Sequence, residues 1–131
     1  MYNKRNYLLL FIDTILFVNG MAFISINAVI PYFLNELGAN TIEISLASAL
    51  VSIGAFITQP IFAQMALRAA VKNKLFAGIL TLQRLIFMIY VIIMPYLVRI
   101  SFQLSIMSFL IFWAIFNMFV GSYSTFFNSI L

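Results

Sequence analysis

The chain is a succession of long apolar runs separated by short polar interruptions. Residues 7–34 form the first, 28 residues holding a single charge, Asp13. Residues 44–67 follow with no charge, 75–98 with only Arg84, and 100–131 with none. Polar and apolar positions do not alternate along these runs, so the pattern of a membrane β-barrel strand is missing. A helix crossing a bilayer needs about 20 apolar residues, and backbone in lipid must satisfy its own hydrogen bonds. The pattern predicts an all-α membrane protein with four transmembrane helices over residues 7–34, 44–67, 75–98 and 100–125, forming one region. At about 1.5 Å per residue the last run exceeds the hydrocarbon core, so its final turns are expected to leave the bilayer.

The interruptions predict how the helices end. In residues 35–43, Gly38 suits the left-handed position after a helix. Asn40 with Glu43 three residues later resembles a capping box that opens the next helix. Pro95 is expected to weaken the end of the third helix before a tight turn at Arg99 and Ser101. The basic head (Lys4, Arg5) before an apolar run also fits a cleaved signal peptide. That run is too long for one, and no small-x-small cleavage site follows it.

Composition agrees with the membrane reading and removes other chemistries. The chain is 65% hydrophobic and 8% charged, whereas about a quarter of a soluble domain's residues are charged. Its 17% aromatic content suits lipid and the lipid–water interface. With no Cys and no His, disulfides, thiolate nucleophiles and imidazole acid–base work are excluded. Three acidic residues lie in different segments and no glycine-rich phosphate loop occurs, so no enzyme, metal or cofactor is expected. The seven cations are spread along the chain among four apolar segments and make no nucleic-acid patch. The lipid bilayer is the expected partner.

Charge placement gives the orientation. The only internal cluster of charge is Arg68, Lys72 and Lys74, between the second and third runs. With four spans it shares a side with Lys4, Arg5 and the C-terminus, while the other side holds only Arg99. The positive-inside rule therefore predicts both termini in the cytoplasm of a plasma-membrane protein.

Polar residues inside the spans are where function would lie. Asp13, Gly20 and Asn27 recur every seven residues on one face of the first run. Ser45, Ser48, Ser52 and Gln59 share a face of the second, and Asn117, Gly121, Ser124 and Asn128 a face of the fourth. Small residues and hydroxyls at such spacing favour helix packing. The amides of Asn27, Asn117 and Asn128 equally fit a water-filled cavity. Charge deep in a membrane lines a pathway or has a partner. Arg84 sits about 14 Å into its span, next to Gln83. Asp13 lies about two turns from the cytoplasmic end, within reach of interfacial water. Their depths differ, and no pairing between them is inferred.

The order of features resembles the start of a major facilitator superfamily transporter. The first helix ends in Asn27-Ala-Val-Ile-Pro31 and a Leu37-Gly38-Ala39 loop. An uncharged second helix runs through Gln59-Pro60 to Gln64, then a basic loop leads into Leu75-Phe-Ala-Gly78. The resemblance covers the whole chain, which matches about four of the twelve helices of a family member. It implies transport of a small solute or drug, with Asp13, Asn27, Gln83, Arg84, Asn117 and Asn128 as pathway-lining candidates. It also implies that Gln64, Arg68, Lys72 and Lys74 are a remnant of the family's cytoplasmic loop motif. Gln64 stands where that motif has its aspartate, and Asn117 where drug–proton antiporters carry an arginine. On this reading the chain is the N-terminal portion of a longer transporter, completed by its remainder or by a homo-oligomer. Two alternatives are a small four-helix oligomeric multidrug exporter and a non-transporting membrane subunit.

Overall fold

The computed structural model describes residues 4–68 and 72–130, with the side chains of 4–7, 10, 66, 72, 73 and 123–130 excepted. The described residues form α1 (Lys4–Phe23), α2 (Val29–Glu36), α3 (Thr41–Arg68), α4 (Lys72–Ile100) and α5 (Phe102–Ile130). Three of these contain segments long and apolar enough to cross a membrane: Thr41–Met65, Lys74–Ile100 and Phe102–Ser122. Large apolar side chains such as Leu16, Phe56 and Ile92 point outward. Such a surface is compatible with a multi-pass integral membrane protein.

The first run is not one helix, as its hydropathy suggests, but two. It breaks at residues 24–28, between α1 and α2. Pro31 explains the position. Its ring would clash with the carbonyl four residues back, at Asn27, and it has no N–H to donate. Starting α2 at Val29 puts Pro31 in the first turn, where no N–H is needed. Ser25 and Asn27 are weak helix formers, and Ile24 and Ile26 are β-branched. The Ser25 carbonyl gathers the interruption by accepting from the amides of Val29 at 2.9 Å and Ile30 at 3.1 Å. Pro60 and Pro95, by contrast, lie inside continuous helices. Pro95 therefore does not end α4, which runs on to Ile100. Prolines within membrane helices are tolerated when neighbouring groups take up the freed carbonyls.

The polar link between α2 and α3 follows its local chemistry. Gly38 has φ +81°. Its amide donates to the Asn35 carbonyl at 2.9 Å, and that of Ala39 to the Leu34 carbonyl at 3.0 Å, the paired bonds of a Schellman ending. The Glu43 amide then donates to Asn40 Oδ1 at 2.9 Å, and the Asn40 amide to Glu43 Oε2 at 2.8 Å. That reciprocal pair is the expected capping box. Gln103 Nε2 donates to Glu43 Oε1 at 3.3 Å, so α3 and α5 start at the same end of the bundle.

The hub is α5. Half of its membrane-length segment is buried, 50% against 17% in α3 and 22% in α4. Contacts with α3 advance together along both chains. Trp113 Nε1 donates to the Ala47 carbonyl at 3.0 Å, and the single proton of the Thr58 hydroxyl is shared between the Gly54 carbonyl of its own helix at 2.7 Å and the Met118 carbonyl at 2.9 Å. The two helices therefore run parallel. Glycine permits the close approach: a Cβ on Gly121 would lie 2.5 Å from Thr58 Oγ1 and 2.8 Å from the Ala55 carbonyl. One on Gly54 would lie 3.0 Å from the Asn117 Cβ. The face of α3 that packs thus includes Ala47, Gly54, Ala55 and Thr58. Ser45, Ser48 and Ser52, expected to share a packing face, are exposed instead.

On its other flank α5 meets α4 through aromatic rings. Tyr90 stacks on Phe112 with centroids 4.0 Å apart, and Phe87 lies 5.7 Å from Phe116. As α4 advances its partners on α5 retreat, so this pair is antiparallel about the turn at Ser101. That residue opens α5, its hydroxyl accepting from the Leu104 amide at 3.4 Å. The core thus sits between α2, α3, α4 and α5, with Leu34, Ala47, Ile106 and Trp113 almost fully enclosed. Among the described residues α1 touches the bundle sparingly, chiefly through Phe17 and Met21.

Candidate functional site within the helical bundle

Two features inside the apolar runs have chemical character. The first is an ion pair between Arg84 and Asp13, joined through Arg84 Nη2 and Asp13 Oδ1. The pair links α4 to α1. Both α1 and α4 begin three residues before their apolar runs, at Lys4 and Lys72, so a depth difference of about 4.5 Å remains. The arginine stem, which reaches several ångströms along a helix surface, spans it. The pair is not sealed: the Arg84 side chain is 50% exposed and that of Asp13 is 24% exposed.

The second is a cavity of about 320 Å³ beneath the break in the first run. Its apolar walls include Met21 and Ile26 from the first run, Val51 of α3 and Trp113 of α5. Ser25 and Asn117 give it polar character. Asn117 is 2% exposed, and its Nδ2 donates to the Trp113 carbonyl at 2.7 Å. The break leaves donors over. Among the described residues the amides of Ser25, Ile26 and Asn27 have no backbone acceptor. The Ser25 hydroxyl likewise has no partner among them.

The other candidates scatter. Asn27 is exposed in the break, so Asp13, Gly20 and Asn27 do not share one continuous helical face. Gln83 is 3% exposed and its Nε2 has no partner among the described residues. It lies next to Arg84 in sequence but inside the bundle, whereas Arg84 faces out. Gln64, Arg68 and Lys74 are exposed and form no ion pair among the described residues. The side chains of Lys72, Ser124 and Asn128 lie outside the described residues.

Sequence reasoning missed Ser25, Thr58 and Trp113. Pro31 was the available signal for Ser25, since a proline marks disturbance about one turn upstream. Trp113 is the one tryptophan of the chain, but its pairing with Ala47 has no local signature. No group of His, Cys, Asp or Glu that could hold a metal occurs among the described residues. No family model matches the chain, and comparison with curated proteins and with solved structures likewise finds no match.

Proposed function

We propose that the chain crosses the membrane four times with both ends cytoplasmic, α1 and α2 together making the fourth span. In this reading it forms part of a secondary transporter of major facilitator type that moves a small solute or drug. The apolar segment of α1, Phe11–Phe23, is short for a crossing, and the 8 residues of α2 beyond the break extend it. The observation that carries the reading is the Asp13–Arg84 pair within the apolar runs. Each such charge costs about 2.5–3.5 kcal/mol on insertion scales, and charges kept at that cost usually serve a pathway. Half of the Arg84 side chain stays open, so its remaining N–H groups are available to solute or water.

Solute profiling tests this. Cells lacking the gene receive the wild-type chain, Arg84→Ala or Arg84→Lys at matched membrane levels, and small-molecule contents are compared. The expected result is at least one solute shifted several-fold by the wild type, abolished by Arg84→Ala and partly restored by Arg84→Lys. Identical profiles for wild type and Arg84→Ala would sink the proposal.

A second reading, a non-transporting membrane subunit, draws on the exposed serines of α3 at positions 45, 48 and 52. Hydroxyls on an outward face suit bonding across to a neighbouring helix. Loss of a co-purifying protein on joint Ser48→Leu and Ser52→Leu replacement, with unchanged solute profiles, would favour that alternative. The small-exporter alternative depends on a carboxylate of the first helix being available, and Asp13 is engaged by Arg84.

A further inference from the structure

We infer that the cavity beneath residues 24–28 is a binding site for a small, uncharged, mostly apolar molecule carrying a hydrogen-bond acceptor such as a carbonyl. Non-helical backbone at membrane depth is tolerated only where it is buried in protein or lines a cavity. Measured along the helices, Val51 lies about 15 Å past Thr41 and Trp113 about 16 Å past Phe102. Both place the cavity near the middle of the bilayer. Its volume, about 320 Å³, falls within the range of small-molecule pockets, roughly 300–1,000 Å³.

The donors set the chemical class. Ser25 and Ile26 both line the cavity, and their amides lack acceptors among the described residues. With the Ser25 hydroxyl, three donors stand beside a space walled mainly by Met21, Ile24, Val51 and Trp113. In lipid an unsatisfied donor costs several kcal/mol, so an acceptor arriving with a ligand is rewarded. No lining residue is charged, which leaves a charged ligand without compensation for its lost hydration. The Trp113 indole N–H already serves Ala47, so the ring offers a flat apolar wall and does not compete for the acceptor.

The inference stands on this geometry and does not require transport. Trp113 supplies the assay, because it is the chain's one tryptophan and it lines the cavity. Purified protein in lipid nanodiscs is titrated with 4-bromoacetophenone, whose bromine quenches indole emission on contact. A second titration uses 1-bromo-4-ethylbenzene, which is similar in size but has no acceptor. Saturable quenching is expected, with half-saturation about tenfold lower for the ketone, since one added hydrogen bond can contribute that factor. Ala22 of α1 and Val51 of α3 both line the space, and Ala22→Phe and Val51→Phe should each fill it and raise half-saturation at least tenfold. An unchanged emission maximum without probe identifies the folded variants. Quenching that rises linearly to the solubility limit, or curves unchanged in both filled variants, would mean simple partition into lipid and overturn the site. Equal half-saturation for the two bromides would overturn the acceptor class.

Discussion

Replacing Gly121 by Ala adds one methyl group at the tightest point of the α3–α5 seam. That carbon would lie 2.5 Å from Thr58 Oγ1, 2.8 Å from the Ala55 carbonyl oxygen and 2.9 Å from the Ala55 Cα. Thr58 could rotate away, but the Ala55 atoms are backbone of α3 and cannot. Restoring ordinary contact distances requires the helices to part by roughly 0.5–1 Å, a gap that already forfeits a quarter to a half of each lining contact. The Thr58–Met118 bond, now 2.9 Å, would stretch beyond hydrogen-bonding range. Overpacking costs about 1–3 kcal/mol, and an interhelical hydrogen bond in lipid adds about 0.6 kcal/mol. We expect a loss of about 2–3 kcal/mol, measured as resistance to unfolding in bicelles by steric trapping. Gly20→Ala and Gly78→Ala are the controls, since nothing lies within 4 Å of their added carbons. Both should be neutral or slightly stabilising, because alanine is the better helix former. A Gly121→Ala protein as stable as wild type would refute the seam geometry. So would a Gly20→Ala loss of the same size.

Two further outcomes follow from polar groups. Gln83→Leu removes an amide that is 3% exposed and whose Nε2 lacks a partner among the described residues. It should stabilise the chain by about 1–2 kcal/mol in the same assay, and a comparable loss would show that the amide has an acceptor. Pro31→Ala removes the ring that ends the first helix, so helix should extend across residues 24–28. Amide hydrogen exchange at Ser25, Ile26 and Asn27 should then slow at least tenfold, whereas unchanged exchange would assign the break to another cause.

What the sequence made legible was local. Gly38, Asn40 and Glu43 specify their turn through bonds spanning three to five residues, and the structure contains those bonds. Run length likewise identified the long apolar segments that became α3, α4 and α5. The break at residues 24–28 was present in Pro31 but masked by hydropathy, which does not register a missing N–H. The register of α3 was not legible, because a helix apolar on every side carries no stripe to mark its inner face. Its serines suggested one face, whereas close approach is decided by Gly54 and Gly121 meeting across the seam. The Asp13–Arg84 pair was not legible, because counting residues along two helices leaves out how far an arginine side chain reaches. Both helices begin three residues before their apolar runs, so the difference in depth stays the same and the Arg84 stem spans it.

That ion pair joins residues 71 positions apart, which has a consequence for biosynthesis. Asp13 leaves the ribosome early, while its cation follows only after two more helices have been made. At 5–20 residues per second the interval is about 4–14 s, very long compared with the microseconds a helix needs to form. Throughout it Asp13 lacks the arginine that pairs with it, and α1 has few side chains with which to dock. The first helix to be made therefore waits for α4 before its carboxylate is paired, while α3 and α4 wait for α5, the hub that follows them.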